Sequence, residues 1–167
     1  MKLTSAEANK LLRKLHDDHT ALLRRESDAR LFVAATTENL EEARPEYDYA
    51  GTQQQLADLE ARIRVLKHAI NLFNVSQPID ESGMTIDQAL VYIPQLSERK
   101  RKLSAMRAAQ KKKRNENGRS TNLIEYTYAN YDIEQAERDF QAVSEELARV
   151  QNALDLVNST EQFEIDE

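Results

Sequence analysis

Apolar residues recur along this chain at spacings of three and four, the period of one face of a helix. The cleanest row is Leu56, Leu59, Ile63, Leu66, Ile70 and Phe73, with no polar residue breaking it. Thr52 stands where an N-cap belongs, Gln55 follows three residues on, and Asn74 suits a C-cap. The row predicts a helix of coiled-coil type, about 35 Å long at 1.5 Å per residue. A second uninterrupted row follows Asp132: Ile133, Ala136, Phe140, Val143, Leu147, Val150, Leu154 and Val157.

Two more helices are predicted, each opened by a capping box. Thr4 and Glu7 start the first, whose stripe holds Leu12, Leu15, Leu22 and Ala29 and is interrupted by His19 and Glu26. It is expected to end near Arg30. Thr85 and Gln88 start the other, which carries Ile86, Ala89, Leu90, Ile93, Leu96, Leu103 and Met106. Pro94 lies inside it and lacks a backbone donor, so a kink is expected. This helix turns basic after Glu98 and is expected to fray before Gly118.

Three segments suit an extended backbone. Leu31 to Thr37 is rich in strand-forming types, although a helix running on through it is the alternative. Leu123 to Tyr128 and Gln162 to Asp166 alternate apolar with polar. These pieces are expected to pair as a small sheet. Gly51, Gly83 and Gly118, with Pro45 and Pro78, fall in the gaps between the helical rows. Connecting loops are therefore expected at 38–51, 75–84 and 114–122. The resulting expectation is one all-α domain over 1–167: a bundle of three or four long helices with antiparallel coiled-coil-like hairpins, plus a small extended or β element at one end.

Composition sharpens this picture in two places. There is no cysteine, which excludes a disulfide framework, a zinc-thiolate site and a cysteine nucleophile. The net charge of −6 is unevenly spread: residues 99–119 hold ten basic residues and one acid, Glu116, a net +9 that leaves −15 elsewhere. That separation favours a partner, either another copy or something anionic. The N-terminus shows no apolar signal region, and the apolar run Leu31–Ala35 is far shorter than the ~18 residues a membrane span needs. A soluble, cytoplasmic protein is expected.

Candidate chemistry is sparse. His16 and His19 sit at i, i+3, but no third ligand is spaced to complete a metal site. Neighbouring carboxylates such as Glu145 and Glu146 point about 100° apart on a helix and make no acid–base pair. There is no phosphate-cradling glycine loop and no nucleophile motif. No catalytic residue, metal site or cofactor is therefore expected. The candidate anion or partner contact is Arg99, Lys100, Arg101 and Lys102 together with Lys111, Lys112, Lys113 and Arg114. A candidate polar and aromatic end surface comprises Asn71, Asn74, Tyr126, Tyr128, Asn130 and Tyr131.

The segments Lys67–Asn74, Met84–Leu90 and Ile124–Glu134, with the ending Leu154–Asn158 and Phe163–Glu164, carry a resemblance. Through them the chain resembles a bacterial family of small, uncharacterised helical proteins, some of which bear the name septicolysin. The resemblance implies a helical fold and, by that name, a membrane-active cytolysin.

The leading expectation is a non-catalytic structural or interaction protein that forms a homo-oligomer through its helices and meets a protein partner at the basic end. A cytolysin and a nucleic-acid or anion-binding factor acting through 99–119 are the alternatives. Neither nucleic acid nor a membrane is the favoured partner: a pI of 5.2 lies well below the range usual for nucleic-acid-binding domains.

Overall fold

The fold was obtained as a computed structural model, which describes residues 1–115 and 124–165. Loop residues 116–122, Leu123 at the start of an expected strand, and tail residue Asp166 lie outside the described residues. Among the described residues the chain is mainly helical, with short strands. In chain order these are β1 (Lys2–Thr4), α1 (Ser5–Ala29), α2 (Leu40–Ala43), α3 (Tyr49–Ser76), α4 (Ile86–Arg107), β2 (Lys112–Arg114), β3 (Tyr126–Tyr128), α5 (Ile133–Thr160) and β4 (Gln162–Glu164). Contacts divide the chain into two compact units. One comprises Met1–Ser76 with the residues from Val157 on, the other Gln77–Leu156.

In the first unit α1 opens on the expected capping box: the Thr4 hydroxyl accepts from the Glu7 amide, and the Glu7 carboxylate accepts from the Thr4 amide at 2.9 Å. α1 and α3 run antiparallel and bury Ala8, Leu15, Leu66 and Ile70 together with Ile165. The polar residues on the α1 stripe meet polar partners. His19 Nε2 lies 3.3 Å from Glu60, and Glu26 accepts from the Tyr47 hydroxyl at 2.8 Å and the Gln53 amide at 2.6 Å. Each interruption of the apolar row is thus compensated instead of being buried bare. Partial desolvation, and then the Glu26 carboxylate, push the Tyr47 phenol above its ordinary range.

β1 and β4 pair antiparallel with Leu3 opposite Phe163. The ladder continues at its open end, where the Met1 amine donates to the Ile165 carbonyl and the Ile165 amide to the Met1 carbonyl, both at 2.9 Å. Alternation turns Leu3 and Phe163 toward the helices. The Phe163 ring stacks on Phe73 with centroids 4.5 Å apart.

The second unit starts with a tight reversal. Ile79 donates to Met84 and Ile86 to Gln77, and Gly83 takes a φ of +79°, a left-handed conformation open to glycine at little cost. Thr85 and Gln88 then form the second expected capping box. α4 buries Ile86, Ala89, Leu96 and Leu103; α5 buries Ala136, Val143, Leu147, Val150 and Leu154. Arg107 bonds Glu137 at 3.1 Å and lies 3.7 Å over the Phe140 ring, which ties the end of α4 to the start of α5. α4 is one continuous helix across Pro94. Arg149 joins Glu146 of its own helix to Asp80 of the turn, at 2.8 and 2.5 Å.

Several expectations are corrected. Leu31–Thr37 forms no strand: Leu31, Phe32 and Val33 are exposed, Val33 at 97%, and no strand among the described residues pairs with it. The extended segments do not share one sheet, because β4 pairs with β1 and β3 with β2. The loop expected over 38–51 contains α2 and the first turn of α3. Asp48, not Thr52, caps α3, accepting from the Gly51 amide at 3.0 Å, so Gly51 lies inside the helix. Asn74 is not the C-cap. α3 runs on to Ser76, whose hydroxyl satisfies the Leu72 carbonyl at 2.8 Å, so the loop expected from 75 starts two residues late.

Two outcomes test this packing. Leu96, 1% exposed, has no room to collapse around a lost isobutyl group; Leu96→Ala is expected to cost about 2–5 kcal/mol by urea denaturation. Hydrogen bonds from Ser82 and then Arg149 hold Asp80 below its ordinary range, and Arg149 does the same for Glu146. Lowered folded values mean that this stabilisation is complete at neutral pH. It is lost as acid is added, below about pH 4 where the unfolded carboxylates protonate. Arg149→Met is expected to flatten the acid limb of a plot of melting temperature against pH.

Candidate functional site

The basic segment builds its surface by failing as a helix. Four consecutive cations at 111–114 would repel one another across a helical turn, and α4 ends earlier, at Arg107. The Tyr131 hydroxyl donates to the Met106 carbonyl at 2.8 Å, which also accepts from the Ala109 amide, and so ties the end of α4 to the segment that precedes the last helix. The chain then extends into β2, which pairs antiparallel with β3: Lys112 opposite Tyr128, Lys113 opposite Thr127, Arg114 opposite Tyr126. Bonds from Ala129 to Lys111 (3.2 Å) and from Asn115 to Glu125 (2.9 Å) extend the ladder at both ends.

This register puts Lys112, Arg114, Tyr126 and Tyr128 on one face and Lys113 with Thr127 on the other. The Lys112 ammonium lies 4.0 Å from the Tyr126 ring centroid and 5.6 Å from that of Tyr128. The rings themselves are 6.3 Å apart and tilted. All residues of both strands are exposed. A cation–π contact at such a site contributes roughly 0.5–1 kcal/mol, enough to hold the lysine over the rings.

The charge on this ladder is uncompensated. Among the described residues none of Lys111, Lys112, Lys113 and Arg114 makes an ion pair, whereas Arg101 is bound to Glu98 at 2.7 Å and Arg107 to Glu137. The carboxylate of Glu137 is held below its ordinary range by the Gln141 amide first and by Arg107 after it.

The expected groupings assemble only in part. Arg99, Lys100, Arg101 and Lys102 sit within α4, where successive side chains fan out by 100°, so that, of the four, Arg99 and Lys102, three apart, share a face. Arg99 and Lys102 edge a shallow groove with Pro94, Gln95 and Glu98, and the Lys100 ammonium stands 5.8 Å from the Phe140 ring. Asn71 and Asn74 belong to α3 in the first unit; Tyr126, Tyr128, Asn130 and Tyr131 belong to the second. Tyr131 bonds the Met106 carbonyl at the end of α4, Asn130 is exposed, and the paired tyrosines of β3 meet β2.

Sequence reasoning missed the ladder itself. Its signals were present: tyrosines at i, i+2 and a like-charged run ill suited to a helix. Among the described residues no group of three or more histidine or carboxylate side chains is placed to hold a metal, and no helix is long and apolar enough to cross a membrane.

No protein-family model and no curated protein matches the chain. Among solved structures it is similar to the crystal structure of a functionally unknown conserved protein from Corynebacterium diphtheriae, with a TM-score of 0.60 and 16% identity over 98% of this chain and 100% of that one. That likeness concerns the fold alone.

Tyr131→Phe removes the hydroxyl that bonds the end of α4 and is expected to cost at most about 1 kcal/mol, read as a small fall in the urea midpoint.

Proposed function

We propose that the chain is a non-catalytic interaction protein. Its helical rows, packed as coiled-coil-like seams, hold the scaffold, and the β2–β3 ladder presents a cationic and aromatic surface to an acidic protein partner. The observation that carries this reading is the unpaired charge of Lys112 and Arg114 beside two exposed tyrosines. Uncompensated cations seek anions, and tyrosine supplies rigid contact area at low entropic cost. A carboxylate-bearing surface satisfies both groups, accepting from the cations and from the phenols. A nucleic acid is the weaker fit, because the pI of 5.2 lies well below the range usual for nucleic-acid-binding domains.

Fluorescence anisotropy with labelled poly-glutamate and labelled oligothymidylate, at low and high salt, tests the proposal. Poly-glutamate is expected to bind at low salt, to weaken as salt rises, and to be lost in the variant Lys112→Glu, Lys113→Glu, Arg114→Glu. Preferential binding of the oligonucleotide, or binding of neither probe, overturns it.

A further inference from the structure

The pairing of β2 with β3 fixes where their free backbone groups point. The Asn115 amide donates to the Glu125 carbonyl and the Ala129 amide to the Lys111 carbonyl. Residues 111 and 129, and 115 and 125, are therefore hydrogen-bonded pairs, and such pairs alternate along an antiparallel ladder. Lys113 is thus bonded to Thr127, while Lys112 faces Tyr128 and Arg114 faces Tyr126 without backbone bonds. The amides and carbonyls of Lys112 and Arg114 point away from β3, along the outer edge of β2. Among the described residues no other strand covers that edge, and every residue of β2 is exposed.

We propose that the outer edge of β2 takes up an extended segment of the partner, with a carboxylate at every second residue, as an antiparallel third strand. This names the binding mode of the acidic partner proposed above and rests on that reading. The outward donors and acceptors of Lys112 and Arg114 form a row that an added strand completes. The added residues that exchange backbone bonds with Lys112 and Arg114 stand directly opposite them and turn their side chains to the same face. A carboxylate on each of these residues lies beside a cation that makes no ion pair among the described residues. Opposite charges placed across a ladder in this way stabilise it. The same cations repel the β2 strand of a second copy, whose own cations would stand opposite them. The free edge of β3 carries Tyr126, Thr127 and Tyr128 and no charge, so it does not select an acidic strand.

A short capped peptide alternating glutamate with valine tests the mode, by fluorescence anisotropy with the full chain at low salt. It is compared with the same peptide N-methylated at its glutamates and with one N-methylated at its valines. All carry the same charge. The plain peptide is expected to bind, and to be lost in the variant Lys112→Glu, Lys113→Glu, Arg114→Glu. Methylated glutamates lack the donors that face β2 and are expected to weaken binding about tenfold or more, the effect of losing a pair of hydrogen bonds. Methylated valines lack only donors that face away, and are expected to leave binding nearly unchanged. Amide exchange followed by NMR is expected to show Lys112 and Arg114 protected by the plain peptide, and Lys113, already bonded to Thr127, changed little. A plain peptide that fails to bind, or that binds the charge-reversed variant equally, removes the contact surface and this mode with it. Charge-dependent binding overturns strand addition alone if methylated glutamates cost no more than methylated valines, or if the Lys112 and Arg114 amides stay unprotected.

Discussion

The structure depends on the need to shield narrow apolar rows on long helices from water. A row of leucine, isoleucine and valine at three-four spacing covers only part of a helix surface, so it gains nothing until another surface closes over it. α1 and α3 solve this by lying antiparallel, with Leu15, Leu66 and Ile70 between them. The caps, the short strands and the polar contacts follow from that need. Thr4, Asp48 and Thr85 set where each helix begins, and hence which residues its row presents.

The polar residues that interrupt the rows show how strict the requirement is. Glu26 falls where an apolar side chain belongs, and two donors, Tyr47 and Gln53, converge on it. His19 meets Glu60 in the same way. The sequence tolerates a break in the row where the facing segment supplies a hydrogen-bonding group. At the end of α4, Arg107 plays both parts: its guanidinium covers the face of Phe140 and binds the Glu137 carboxylate.

What could be read from the sequence follows the range of the interactions. The long helices, both capping boxes and the inward rows on α3 and α5 were legible, because periodicity and capping act over a few residues. Strand pairing was not. Lys2–Thr4 is too short to show an alternation, and its partner lies at the other end of the chain. Lys112–Arg114 resembles a charged helix end until Tyr126 and Tyr128 are placed beside it. Leu31–Thr37 has the composition of a strand but, among the described residues, no neighbour to pair with, and propensity alone does not supply one. For the candidate site, the residue types were legible and their grouping only in part: the ladder gathers Lys112, Arg114, Tyr126 and Tyr128, while the four cations of α4 and the asparagines of α3 stand elsewhere.

The ladder between Lys2–Thr4 and Gln162–Glu164 has a consequence for biosynthesis. Helices α1 and α3 leave the ribosome long before Phe163 is translated, so until then the Phe73 ring and the neighbouring aliphatic groups lack their cover. Contacts of such wide sequence separation form late, and nascent chains with open apolar surface are what holdase chaperones retain. The first unit is therefore the earlier to be synthesised and the later to be completed.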